Sequence, residues 1–226
     1  MRFTRTDPSA EKYYSVSPYA YCMNNPLRYV DKDGKKVYFA PGVSQEFKNQ
    51  FSTAVQYLNE KGAAGMLAKL HASDAVYYIT EGKGSAFSYK TNTIEWNPEM
   101  GLLTTEGVVM SPTSVLNHEV DHALEYDTKK DQFMKDINTP VDNYDNAEEK
   151  RVITGSEQTT AKKLGEVGKD EVTRTDHGGT LYETKGVKST EGKNEVIITP
   201  DNNKKNENTW NWNDWNNGNS WNPFMH

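Results

Sequence analysis

The middle of this 226-residue chain points to an α+β fold, and three observations carry that reading. Residues 44–62 place apolar side chains at helical spacing, residues 75–98 contain short β-branched and aromatic runs, and residues 111–127 return to a helical pattern with its own start signal. Taken in order, "VSQEFKNQFSTAVQYLNEKG" sets Phe47, Phe51, Val55 and Leu58 on one face, with Ser44 as N-cap and Gly62 as stop. "GAAGMLAKLHAS" reads as a shorter second helix, on which His71 is a packing or surface residue. "AVYYIT" and "AFSYKTNTIEWNP" read as strands, separated by Lys-Gly, with Thr-Asn-Thr as a turn inside the second. In "MSPTSVLNHEVDHALEYD", Ser111 is the N-cap and Pro112 the first helical residue, so a helix begins just before two histidines. Downstream, "YDNAEEKRVITGSEQTTAKKLGE" opens with Asp/Asn capping chemistry and continues in helix-forming residues.

Composition narrows the function classes. Only 35% of residues are hydrophobic and mean hydropathy is -0.88, so the apolar material must be concentrated in this middle region of about residues 35–191. One core of ordinary size fits a chain of this length. Net charge is -6 with no lysine-rich stripe, which argues against nucleic-acid binding. No apolar run is long enough to span a bilayer, and "MRFTRTDPSAEKYY" has no signal-peptide h-region. The single cysteine, Cys22, excludes an internal disulfide and Cys-rich zinc sites. Residues 13–34 interleave aromatics with turn residues, and residues 192–226 are rich in Asn and Trp, a composition expected of a flexible tail.

The chemistry concentrates in "HEVDH", residues 118–122. Residues four apart on a helix share a face, so His118 and His122 can each point one nitrogen at a single Zn2+ roughly 2.0–2.1 Å away. Glu119 sits beside them, too far round the helix to ligate easily yet placed to take a proton from water at the metal. Leu116, Val120, Ala123 and Leu124 supply the opposite, apolar side. Asp121 stands at a position that is usually small or apolar. A catalytic zinc needs a third protein ligand and one open position. Glu148, Glu149 and Glu157 in the downstream helix are the candidates.

Two resemblances extend this reading. "DPSAEKYYSVSPYAYCMNNPLRYVDKDG", residues 7–34, closely resembles the signature that ends the core of RHS-repeat proteins, after which a variable toxin domain follows. Almost all of that core is absent here, so residues 1–34 would be its C-terminal remnant. "IEWNP", "SPTSVLNHEVDHALEYD" and "AEEKRVITGSEQ", within about residues 75–185, resemble the effector-type zinc metallopeptidases of the NleD-like family, distantly similar to clostridial neurotoxin light chains. That resemblance implies a zincin-like fold with a small mixed sheet, whose edge strand, near "NTIEWNP", pairs with an extended substrate beside the HExxH active-site helix. It implies ligation by His118, His122 and a glutamate in a Glu-Glu-x-Arg context, which puts Glu149 in the ligand position and keeps Glu148 and Glu157 as alternatives. It also implies an oxyanion-stabilising group, for which Arg174, His177 and Tyr182 in "VTRTDHGGTLYE" are the candidates.

Together these imply a zinc-dependent endopeptidase acting as the toxin domain of an RHS-type polymorphic toxin, with Zn2+ as cofactor. Its partners would be a protein substrate in the target cell and a cognate immunity protein, with no nucleic acid and no membrane. The rival is a non-catalytic, zinc-stabilised binding module, against which Glu119 argues, since a structural site needs no such group. A deaminase is disfavoured because H-x-E...P-C-x-x-C is absent.

Overall fold

A computed structural model describes residues 37–193. The expected RHS-type remnant at residues 1–34 and nearly all of the Asn/Trp-rich stretch at 192–226 lie outside the described residues. Strand β1 (Val37–Phe39) leads into helix α1 (Gln45–Glu60), which starts where Ser44 Oγ accepts the Phe47 N–H and ends before Gly62 at φ +68°. A positive φ is cheap for glycine, hence the stop at that residue. Phe47, Phe51, Val55 and Leu58 are buried as their spacing predicts. Helix α2 (Gly65–His71) completes the crossover to β2 (Tyr77–Glu81), which pairs in parallel with β1.

Strands β3 (Ala86–Ser88) and β4 (Thr93–Trp96) form an antiparallel hairpin, and β4 pairs in parallel with β2. The first sheet is therefore mixed, in the order β1-β2-β4-β3. "TIEWN" is thus an interior strand and β3 is the edge, because the turn with Asn92 at φ +50° folds the chain so that Ala86–Ser88 lie outside β4. A second sheet, in the order β6-β5-β9, combines β5 (Met100–Thr104), β6 (Val109–Met110) and β9 (Gly179–Glu183).

Helix α3 (Pro112–Thr128) is the central element: α1, α2, both sheets and the later helices all pack against it. Ser111 caps it and Pro112 opens it, as the sequence predicts. Trp96 Nε1 donates to Pro112 O at 2.8 Å and Thr113 Oγ1 to Val187 O at 2.7 Å, which pins the helix start to the first sheet and to the chain after β9. Leu116, Val120 and Ala123 join Phe47, Phe51, Ile79, Phe87, Ile94 and Trp96 in the main apolar core, whereas Leu124 is only half-buried. Helix α4 (Lys130–Asp136) follows, then a two-residue ladder of β7 (Pro140–Val141) and β8 (Asp145–Asn146). The chain then runs through α5 (Ala147–Val152), a π-helical segment (Ile153–Glu157) and α6 (Gln158–Leu164) as one continuous helical rod. No helix among the described residues is long and apolar enough to cross a membrane.

Candidate metal centre

His118 and His122 are buried on α3, with their Nε2 atoms 3.1 Å apart. Glu149 arrives from the first turn of α5, where Asn146 Oδ1 accepts the Glu149 N–H at 3.0 Å. That cap fixes the start of the helix, and the helix N-terminus favours an ionised carboxylate there. Glu149 Oε1 lies 3.3 Å from His122 Nε2, and Oε2 lies 3.4 Å from His118 Nε2. One ligand atom from each of the three residues lies within 4.8 Å of the others.

The outward nitrogens are held by carboxylates. His118 Nδ1 is 2.9 Å from Glu157 Oε2, and His122 Nδ1 is 3.0 Å from Glu148 Oε1. Each carboxylate is anchored in turn by an arginine: Arg174 Nη2 donates to Glu157 Oε2 at 2.7 Å, and Arg151 Nη2 to Glu148 Oε1 at 2.7 Å. Thr173 Oγ1 adds a bond to Glu157 at 2.5 Å. The role of Asp121 is clear from its partners, since Arg151 Nη1 and Ser156 Oγ both donate to Asp121 Oδ2, at 2.9 and 2.5 Å. It ties α3 to the helical rod across from it.

The π-helical segment sets the relative aim of the two glutamates. In a regular α-helix, residues eight apart differ by about 80° in direction. The wider turn at Ile153–Glu157 absorbs much of that angle, so Glu149 and Glu157 both reach His118 from one rod.

A divalent cation fits this donor set. With Nδ1 of each imidazole donating to a glutamate, the two Nε2 lone pairs face each other at 3.1 Å, which only a proton or a cation between them can relieve. Glu149 Oε2 is buried and makes no well-aligned hydrogen bond. Asp121 and Glu148 pair with Arg151 and Glu157 pairs with Arg174, and two further buried carboxylates, Glu119 and Glu149, add negative charge to the cleft. Without a cation, protons are drawn in. Burial pulls the His118 pKa down, yet Glu149 and Glu157 outweigh it and hold it at about 9. The same contest, won by Glu149 and Glu148, lifts His122 well above its usual value. Glu148 and Glu157 are held at about 2, in each case against burial, by Arg151 and His122 and by Arg174 and His118 respectively.

Glu119 stands apart from this network. It lines the same cleft, its pKa is raised by burial, and the backbone of Phe87 on the edge strand β3 hydrogen-bonds to it.

The three downstream candidates are placed differently. Arg174 borders the cleft, but its side chain is 5% exposed, with Nε and Nη2 donating to Glu157 and Nη1 to the His177 carbonyl, so it positions His118 through that carboxylate. His177 lies on the open side, with Nε2 3.3 Å from Glu149 Oε2 and Nδ1 2.6 Å from Asp145 Oδ2. Its pKa is raised because Glu149 outweighs the effect of burial. Tyr182 pairs with Gly101 across the β5–β9 ladder, whereas Leu181, which lines the cleft, is the next residue along. The pleat therefore turns Tyr182 to the other face. Sequence reasoning did not find Asp145, or the pairing of Glu148 and Glu157 with the outward histidine nitrogens. Asp145 adjoins the capping residue Asn146, but nothing in the sequence ties it to His177, which is 32 residues away. Comparison with known proteins gives no match, whether to a family model, a curated protein or a solved structure, so the chain's own residues carry the functional reading.

Proposed function

We propose that this chain is a zinc-dependent endopeptidase, and that it acts as the toxin domain of an RHS-type protein with a zincin-like fold. The observation that carries the reading is the convergence of His118, His122 and Glu149 on one point, with the unligated carboxylate of Glu119 beside it in an open cleft. When bound there, Zn2+ would supply Lewis-acid polarisation of a scissile carbonyl and lower the pKa of water toward ~7. Glu119 takes the proton of the attacking water and returns it to the departing amine as the C–N bond breaks. His177, oriented by Asp145, donates its Nε2–H to the developing oxyanion. Glu157 and Glu148 keep the histidines in the tautomer that presents Nε2 to the metal. The partners are a target-cell protein and, on the strength of the RHS-like segment, a cognate immunity protein.

The decisive variant is Glu119→Gln. The amide keeps the helix and its packing and removes the base, so zinc content and melting temperature stay near those of wild type. Turnover, measured by the appearance of new peptide termini in lysate, falls by at least ~10²-fold. Equal toxicity of the two proteins on expression inside a susceptible cell, with zinc bound in both, would instead identify a non-catalytic zinc-stabilised binding module.

A further inference from the structure

Beside the histidines, one wall of the cleft is apolar and lies outside the main apolar core. Met110 pairs with Leu102, and Leu102 pairs with Leu181, so these three side chains form a row across β6, β5 and β9 on one face of the sheet. Val115 closes the row from α3, one turn before Glu119. All four border the cleft with His118 and Glu119, yet none belongs to the apolar cluster built on Phe47, Trp96 and Leu116. Gly179 makes this arrangement possible, since a Cβ there would meet Leu102 Cδ1 at 2.7 Å and push it from its place.

Resting on the peptidase reading, we propose that this wall is the substrate-selecting pocket and that it accepts an aliphatic side chain, Leu, Ile, Val or Met, next to the scissile bond. Size selects the occupant. The whole cleft, the metal site included, offers about 100 Å3, less than the roughly 150 Å3 apolar cavity that holds a benzene ring. An aromatic side chain is therefore disfavoured relative to an aliphatic one. Charge selects too, because the apolar wall offers no partner for an ionic side chain. Losing methylenes from a residue in such a pocket lowers kcat/KM by ~10-fold or more, so alanine is a poor substrate residue.

The test uses the zinc-loaded full chain on a mixed peptide library, with Leu181→Ala and Val115→Ala as two independent ways to enlarge the pocket. Wild type should cut beside aliphatic residues at least ~10-fold faster than beside Ala or Phe, and both variants should move the preference toward Phe. Cleavage with no side-chain preference, or a preference that neither variant moves, overturns the pocket and leaves the peptidase reading standing. A binding measurement covers the case of no cleavage. In zinc-loaded Glu119→Gln protein, N-acetyl-leucinamide should shift the NMR signals of Leu102, Val115 and Leu181 and N-acetyl-phenylalaninamide should not. Equal effects, or none from either probe, overturn the proposal whatever the activity.

Discussion

At the scale of single residues, the site separates groups that can ligate from groups that hold the ligands in place. Glu149 faces both Nε2 atoms, whereas Glu148 and Glu157 each hold an outward Nδ1. Glu149→Gln should therefore abolish stoichiometric zinc retention through dialysis. Glu157→Gln should retain zinc with affinity lowered by ~10–100-fold, the range for losing an outer partner of a ligating histidine. Competition titration against a chromophoric chelator reads both. Zinc loss in Glu157→Gln with full retention in Glu149→Gln would reverse the assignment. The same scale explains Asp121, whose carboxylate serves Arg151 and Ser156 on the helical rod, a requirement that an apolar residue would not meet.

Among the elements, the helical rod from Ala147 to Leu164 matters more than its composition suggests. Its π-helical segment brings Glu149 and Glu157 to one histidine, and Gly155 lies inside that segment with no atom within 4 Å of where a Cβ would stand. Gly155→Ala should be tolerated, and stabilises by up to ~1 kcal/mol if helix propensity alone decides. Deleting Gly155 puts Glu157 seven residues after Glu149, and in a regular α-helix residues seven apart differ by only about 20°, so Glu157 should keep facing His118 and Arg174. Inserting an alanine after Gly155 should instead turn Glu157 by about 100° and leave a buried guanidinium without its carboxylate, a loss worth ~3–5 kcal/mol. Thermal unfolding of the variants side by side decides the matter. An insertion no more destabilising than the deletion would mean that the residue count of the π-helical segment does not set the aim of Glu157.

For the molecule as a whole, the packed core and the charged cleft lie on opposite sides of α3, so metal binding and global stability are linked through one helix. In the metal-free protein His118 titrates at about 9 when folded against an ordinary value of 6.5, and His122 is raised in the same direction. The folded state thus holds protons that the unfolded chain has lost. Their stabilisation is complete below pH 6.5 and disappears as the pH climbs through about 9. The melting temperature of chelator-treated protein should therefore fall between pH 6.5 and 9. Zinc competes better as protons leave, so the gap between zinc-loaded and metal-free melting temperatures should widen over that interval. Parallel melting curves at every pH would show that the histidines neither share protons with the glutamates nor bind the metal.

What the sequence determined by itself is everything that depends on neighbours along the chain. The Ser44 and Ser111 caps, the Gly62 stop and the apolar face of α1 follow from spacing and backbone preference. So does the one-turn separation of His118 and His122, because a helix converts a spacing of four into a shared face. Long-range pairing decided the rest. The sequence did not reveal β5, β6 or β9, because β6 is only two residues long and β5 meets β9 across more than 70 residues of intervening chain. The placement of "TIEWN" inside the sheet instead of at its edge depended on how the β3–β4 hairpin docks. Local composition could mark Glu148, Glu149 and Glu157 as helical but not say which faces a metal, since the π-helical segment and the arginines that hold two of them act through space. Tyr182 turns away and His177 turns in for the same reason: a strand's pleat and a hairpin's approach are fixed by partners far away in the chain.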